Sequence, residues 1–269
     1  MPDLATQQRW LEEAFFFDQA AAKIRLAPIH PLTLARYHGP LRRRFSKEFR
    51  LWLLGDLRGK KLLDVGCGDG ANAVLLAKLG AEVTGIDISA QSIEVAGKRA
   101  AINQVAPACR FVCRPLETAE LEPDSFDLIW GDGILHHVIP DLPAVMERLA
   151  HWAKPGALMV FGEPVNLCPA LRRVRLRIPV HTDATPGERP LERDEISLLR
   201  RHLPDLRVRH FGLLGRLDRF VLVNHNYERS RWLRRAVANA CAAMDWAPLA
   251  LRGVERLGGS AVLWGHPAR

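Results

Sequence analysis

The chain has 269 residues, of which 48% are hydrophobic and 25% charged, as in an ordinary globular protein with a sizeable core. No apolar run approaches the roughly 18 residues of a transmembrane helix, and the first residues do not have the order of a signal peptide, so we expect a cytoplasmic protein. The net charge of +8 comes from arginine clusters, which bind nucleic acid or anionic lipid in some proteins and are plain solvated faces in others.

Residues 1–58 are predicted to form a helical cap or lid. This region is rich in aromatic residues and is interrupted by Pro28, Pro31 and Pro40. After Gly59 the pattern changes to short apolar runs that alternate with amphipathic segments. The change in pattern predicts a domain boundary near residue 59.

Strands and helices are predicted to alternate from residue 61 onwards. The predicted strands are 61–65, 82–86, 110–113, 126–130 and 158–161, and the predicted helices are 71–79, 89–103 and 142–153. This alternation predicts βαβ units, a parallel sheet and a ligand site at the carboxyl ends of the strands.

The C-terminal part has a looser pattern, which predicts two insertions. The segment 165–190 has four prolines and a basic cluster, and 224–258 is mainly helical. Between and after them we predict a helix at 192–202, a strand at 206–214, a helical stretch at 229–257 and a last strand at 259–264. Because the last strand returns to the sheet, residues 59–269 are expected to form one domain.

A glycine-rich turn, DVGCGDG, follows the first predicted strand. Gly66, Gly68 and Gly70 alternate, whereas loops that bind the pyrophosphate of a dinucleotide have the spacing G-x-G-x-x-G. Asp64 and Asp69 place negative charge at this turn, which would repel a phosphate and attract a cation. S-adenosylmethionine, which has an amino-acid end, a nucleoside end and no phosphate, is therefore the expected ligand.

Four stretches together resemble the motifs of class I S-adenosylmethionine-dependent methyltransferases. They are LLDVGCGDG, GIDIS, FDLIWGDGILHHV and AKPGALMVFGEP, in the family's order and spacing across residues 60–164. The resemblance implies an α/β, Rossmann-like class I methyltransferase fold. This fold has a mostly parallel seven-stranded sheet with helices on both faces, to which we add an N-terminal helical cap and C-terminal insertions.

The same resemblance implies the residues that bind the cofactor. Asp87 takes the position that binds the ribose hydroxyls, and Asp132 could contact either the cofactor's amino group or an acceptor amine. Many relatives have an acid after the third strand, but Pro115 stands near it here, so the Leu116 amide or the Glu117 carboxylate would bind adenine. The full predicted set is Asp64, Gly66, Cys67, Gly68, Gly70, Asp87, Ile88, Leu116, Glu117, Gly131 and Asp132.

His136, His137 and Glu163 are the candidate catalytic residues. A histidine suits the role of base because its ordinary pKa is near neutral, and adjacent residues diverge by about 100°, so one of the two should face the cleft. Relatives with different acceptors also have this pair, so shaping the pocket is the alternative. Glu163 is expected to orient the acceptor or to pair with an arginine. The scattered cysteines complete no zinc site, so we expect reduced thiols and no metal.

The resemblance is closest to small-molecule enzymes, including those of quinone and natural-product biosynthesis. It predicts methylation of oxygen or nitrogen, with carbon as an alternative, in a small and fairly apolar metabolite. The other hypotheses are an RNA or protein methyltransferase that uses the basic surface, and a non-catalytic binding protein. Nucleic acid is disfavoured because few aromatic residues accompany the basic clusters. Peripheral membrane contact through 165–190 is left open, as is the oligomeric state.

Overall fold

The computed structural model of the protein describes residues 4–37, 45–175, 188–223 and 226–268. The strands are β1 (Lys61–Val65), β2 (Glu82–Asp87), β3 (Cys109–Cys113), β4 (Phe126–Asp132), β5 (Ala153–Pro164), β6 (Arg207–Phe211) and β7 (Ser260–Gly265). The helices are α1 (Leu4–Ala21), α2 (Pro31–Arg36), α3 (Ser46–Leu54), α4 (Ala71–Lys78), α5 (Ala90–Ile102), α6 (Leu142–Trp152), α7 (Pro169–Arg175), α8 (Arg193–His202), α9 (Asp218–Val221) and α10 (Trp232–Trp246).

The seven strands form one sheet in the order β3-β2-β1-β4-β5-β7-β6. The first five strands pair in parallel, and β7 is antiparallel to both β5 and β6. The predicted fold class, a mostly parallel seven-stranded sheet, is confirmed, and the last strand returns to the sheet as expected. The order reverses between β1 and β4, which places the carboxyl ends of these strands beside a crevice.

Helices cover both faces of the sheet because successive strand residues point to opposite sides. Leu62 of β1 packs in an apolar cluster with Phe49 of α3 and Leu76 of α4. The next residue, Leu63, belongs to a second cluster with Met146 of α6 and residues of α8. The near-continuous apolar character of the central strands therefore reflects burial on two sides.

The largest differences from the predicted element boundaries are in β5, β6 and α10. The strand predicted at 158–161 extends over the whole of β5, because the Lys-Pro-Gly stretch that suggests a turn lies within an irregular start of the strand. The strand predicted at 206–214 ends at Phe211, where Gly212 takes a left-handed φ of 74°. The helix predicted at 229–257 ends at Trp246, and Pro248 begins the first of two short 3₁₀ turns.

The N-terminal helices have two different positions. Helix α1 contacts α5, and Asp18 accepts hydrogen bonds from the Ser89 hydroxyl at 2.6 Å and the Gln91 amide at 3.0 Å, next to the start of that helix. Helix α3 packs instead against β5 and β7 and contributes Phe49 to the core. Only the first part of the predicted cap at 1–58 therefore has a lid-like position.

The two predicted insertions lie partly outside the residues that the structure describes. The insertion predicted at 165–190 includes α7, but residues 176–187 lie outside the described ranges, as do 224 and 225 of the second insertion. All five cysteines are free thiols, as expected. Within the described ranges, no helix has the length and apolar character to cross a bilayer.

The two-sided core makes a prediction for stability. Leu149 of α6 is completely buried, so Leu149→Ala should leave a cavity and lower the free energy of unfolding by about 2–5 kcal/mol. The matched control is Leu11→Ala on α1, where the side chain is 67% exposed and the change should stay within about 0.5 kcal/mol. Urea unfolding followed by circular dichroism measures both, and equal losses would contradict the packing.

Candidate functional site

One cavity of about 760 Å³, including its open mouth, lies at the carboxyl ends of the central strands. Its wall is built from the loops after β1 and β4, the end of β2, the segment after β3, and α1. Of the residues predicted from the sequence, the wall contains Gly66, Gly68, Asp87, Ile88, Leu116, Glu117, Asp132 and His137. The other wall residues are Glu13, Phe17, Ile86, Arg114, Pro115, Gly133, Ile134 and Val138.

The structure requires glycine at the three positions of the first loop for different reasons. All three have left-handed φ angles, between 50° and 74°. A Cβ at Gly66 would lie 2.6 Å from the Ile134 side chain, and one at Gly70 would lie 2.7 Å from Ala96 of α5. A Cβ at Gly68 would meet nothing within 4 Å. Gly68 thus keeps an open surface toward the cavity, whereas Gly66 and Gly70 permit close packing.

Asp87 connects the end of β2 to the glycine loop. One carboxylate oxygen accepts the Gly68 N–H at 2.8 Å and the other accepts the Ser89 N–H at 2.9 Å. Burial raises the pKa of Asp87, and the backbone hydrogen bonds oppose that shift. Because each carboxylate oxygen can accept a further hydrogen bond, Asp87 retains capacity for two ligand hydroxyls.

The structure corrects the positions of the two acids in the glycine turn. Asp64 is only 1% exposed, lies outside the cavity wall, and its oxygens have no hydrogen-bond partner among the described residues. Its burial raises its pKa well above the ordinary value. Asp69 is paired with Arg99. The acids of the cavity wall are instead Glu13, Asp87, Glu117 and Asp132, so the predicted negative charge is present but comes from other residues.

Asp132 is held in place by Arg50, a cation in the protein interior. The guanidinium donates to the Asp132 carboxylate at 2.7 Å and to the Gly131 carbonyl at 3.2 Å, and lies 4.4 Å from the Trp130 ring centroid. A Cβ at Gly162 would lie 2.4 Å from the central carbon of the Arg50 guanidinium. Gly131, a predicted cofactor contact, therefore supports Arg50 and is not part of the wall. Nor are the predicted Cys67 and Gly70, which face the interior.

His136 is buried between two carboxylates. Its ring nitrogens lie 2.8 Å from a Glu163 oxygen and 2.7 Å from a Glu188 oxygen. Burial lowers the pKa of His136, but hydrogen bonds to Glu163 and Glu188 outweigh it and raise the pKa to about 9. A pKa of about 9 favours the protonated ring near neutral pH, and His136 lies outside the cavity wall, so it is the less suited of the two histidines to act as a base.

His137 has the opposite properties. It lines the cavity, and burial together with the charge of His136 lowers its pKa. Its Nδ1 has no hydrogen-bond partner among the described residues and lies 3.9 Å from a Glu13 oxygen, while its Nε2 lies 3.7 Å from Glu188. A neutral imidazole in this position can accept a proton from a bound molecule.

Glu163 organises the loop that carries both histidines. It is 1% exposed and accepts hydrogen bonds from the N–H groups of Ile134 and Leu135 as well as from His136. It does not reach the cavity wall and pairs with no arginine in the described residues. Gly133 and Ile134 of the loop after β4 line the cavity instead, so Glu163 acts on the wall through this loop, and a role in orienting the acceptor stays a prediction.

Helix α1 supplies site residues that the sequence motifs missed. Glu13 and Phe17 line the cavity, and burial raises the pKa of Glu13 to about 7. The indole N–H of Trp10 donates to Glu117 at 3.0 Å, and Arg9 contacts Glu117 at the same distance. The aromatic run around Phe17 was the available signal, but it belongs to no motif that indicates a cavity.

A group of potential metal ligands lies beside the cavity. One ligand-type atom from each of His136, His137 and Glu188 lies within 4.8 Å of the others. In this structure His136 and Glu188 bind each other. That the site needs no metal stays a prediction.

Comparisons with known proteins agree on the central part of the chain. Residues 63–161 match the family model "Methyltransferase domain". A ubiquinone biosynthesis O-methyltransferase of Neisseria meningitidis serogroup C is 44% identical over 115 residues, which are 42% of this chain and 48% of that protein. One from Idiomarina loihiensis is 40% identical over 107 residues, or 39% and 43% of the two chains. The chain thus spans about half the length of these curated relatives.

Solved structures resemble almost the whole chain. The [4+2]-cyclase SpnF has a TM-score of 0.56 at 19% identity, covering 96% of this chain and 94% of that one. Geranyl diphosphate C-methyltransferase from Streptomyces coelicolor A3(2) has a TM-score of 0.53 at 14% identity, covering 97% and 98%. At these identities the likeness shows the fold alone.

The buried His136 predicts a pH dependence of stability. Its pKa of about 9 in the folded protein exceeds the ordinary 6.5, so the stabilisation from protonated His136 is fully present below pH 6.5 and lost as the pH rises through about 9. Urea unfolding between these pH values should show the wild type losing its advantage over His136→Gln. The exposed His151 provides the control His151→Gln, which should follow the wild type. A constant difference between wild type and His136→Gln would contradict the assignment.

Proposed function

We propose that this chain, whose residues 63–161 match the family model for a methyltransferase domain, transfers a methyl group from S-adenosylmethionine to a small, fairly apolar metabolite. The observation that carries the proposal is the cradle formed by the Gly68 loop and the Asp87 carboxylate, which offers acceptors for two hydroxyls and no phosphate-binding loop. The curated relatives, which are named as O-methyltransferases, favour oxygen as the acceptor atom.

The cavity suits a cofactor with a ribose and a positive charge. Asp87 would accept hydrogen bonds from the ribose hydroxyls, which are strengthened by its charge. Adenine would bind the Leu116 amide or the second carboxylate oxygen of Glu117, because Arg9 and Trp10 both donate to the first oxygen. Asp132 accepts one bond on each oxygen, from Arg50 and Asn72, and retains acceptor capacity for the amino group. Bound in this way, the cofactor would supply an electrophilic methyl group on its sulfonium.

His137 is the residue that would remove a proton from the acceptor. Its imidazole is neutral near pH 7 and faces the cavity, whereas His136 is already protonated. In-line attack on a methyl group mainly requires positioning, to which a base adds when the acceptor carries a hydroxyl. Phe17, Ile134 and Val138 line the cavity with apolar surface. These side chains favour an apolar acceptor over a nucleotide or an extended peptide.

Calorimetry with S-adenosylmethionine tests the cofactor. The wild type should bind it, and Asp87→Ala should weaken binding at least about tenfold, since a hydrogen bond to a charged group contributes roughly 1.5–3 kcal/mol. Asp69→Asn is the control from the same loop, where the acid pairs with Arg99 outside the cavity, and its affinity should stay close to that of the wild type. Tight NADH binding in place of S-adenosylmethionine would refute the assignment.

Incubation of a metabolite extract with methyl-labelled S-adenosylmethionine tests the acceptor class and the base. We expect label in small apolar metabolites and none in bulk RNA. His137→Ala should lower turnover about 10²–10⁴-fold at saturating cofactor without loss of cofactor binding, whereas His151→Ala on the exposed side of α6 should be unaffected. Labelled RNA would support the alternative enzyme class, and normal turnover in His137→Ala would exclude this residue as the base.

A further inference from the structure

An exposed apolar surface lies where α9 meets the start of α10. Phe220 is 69% exposed, Val223 41%, Trp232 66% and Leu233 55%. We call these four residues the Trp232 patch. Single exposed apolar side chains are ordinary, but several large ones grouped together mark an interaction site.

The patch is held in a defined geometry by hydrogen bonds between its two segments. The Val223 N–H donates to the Ser230 hydroxyl at 2.9 Å, and that hydroxyl donates to the Asn226 carbonyl at 2.7 Å. Arg234 donates to the Val221 carbonyl at 2.8 Å. Ser230 is itself buried, at 4% exposure. These bonds bring the end of α9 beside the first turn of α10, so the four exposed apolar residues lie in neighbouring segments.

Positive charge is concentrated in the segment that carries the Trp232 patch. Six arginines and only two acidic residues lie between positions 216 and 235. Arg229, Arg231 and Arg234 are exposed. Of the two acids, Glu228 accepts a hydrogen bond from Thr33, so Asp218 is the one exposed carboxylate in this part of the described chain. The surface is therefore complementary to a dense array of negative charge.

We infer that the Trp232 patch docks on an anionic lipid bilayer. Tryptophan and phenylalanine insert at the boundary between headgroups and acyl chains, and arginines beside them bind lipid phosphates. A second copy of the chain fits less well, because a symmetric contact would place these arginines against themselves. The patch shares no residue with the cavity, so this inference is independent of the proposed methyl transfer. It also places lipid contact on a different segment from the 165–190 stretch suggested by the sequence.

Sedimentation with vesicles tests the inference. The full chain should bind vesicles of phosphatidylcholine mixed with phosphatidylglycerol, bind phosphatidylcholine alone at least about tenfold more weakly, and lose affinity as salt is raised. Phe220→Ser with Trp232→Ser should lower affinity about tenfold on the anionic vesicles. Arg229→Glu with Arg231→Glu should do the same there and have little effect on phosphatidylcholine, and both variants leave the bond from Arg234 to the Val221 carbonyl in place.

The control pair is Leu11→Ser with Phe15→Ser on α1, which are 67% and 65% exposed and have no arginine cluster beside them. This pair should bind vesicles like the wild type, which separates a specific surface from general loss of apolar area. Circular dichroism and thermal unfolding of each variant show that the fold is retained. Absence of vesicle binding by the wild type, or equal binding by wild type and patch variants, would overturn the inference. A dimer that Trp232→Ser dissociates, without vesicle binding, would assign the patch to self-association instead.

Discussion

The buried carboxylate of Glu163 is the interaction on which the site depends. It accepts hydrogen bonds from consecutive backbone N–H groups of the loop after β4 and from the His136 ring. This turns the loop so that Ile134 lies against Gly66 and His137 faces the cavity. An unpaired buried carboxylate would be costly, so the loop and the acid stabilise each other. The positive charge of the protonated His136 ring lies between the carboxylates of Glu163 and Glu188 and offsets their negative charge.

The fold and the cofactor side of the cavity were predictable from sequence because their signals are local. The family model and the curated relatives confirm the resemblance to class I S-adenosylmethionine-dependent methyltransferases. The turn after β1 needs glycines within a few residues, and Asp87 follows its own strand directly. Strand and helix positions followed from apolar periodicity. The errors are at ends where a glycine or proline terminates the element, as at Gly212 after β6 and Pro248 after α10.

The acid–base residues were predicted less well because their roles depend on partners far away in the chain. Asp69, in the turn, brings no unpaired charge to the cavity, because it pairs with Arg99, 30 positions later on α5. Glu13 approaches His137 from an N-terminal helix that no motif connects with the site. The two adjacent histidines cannot be told apart in the sequence. In the folded protein His136 lies between two carboxylates, whereas His137 lines the cavity.

Arg50 and Gly162 have a consequence for how the sequence can change over time. A methyl group at position 162 would occupy the space of the guanidinium, and loss of the guanidinium would leave Asp132 with Asn72 as its remaining side-chain donor. A substitution at either position alone would therefore disturb the cavity wall. Substitutions at these two positions should therefore appear in pairs among descendants of a common ancestor, with a smaller residue at 50 preceding any side chain at 162. The strand that α3 packs against is thereby constrained by one interior cation, at a position with no side chain of its own.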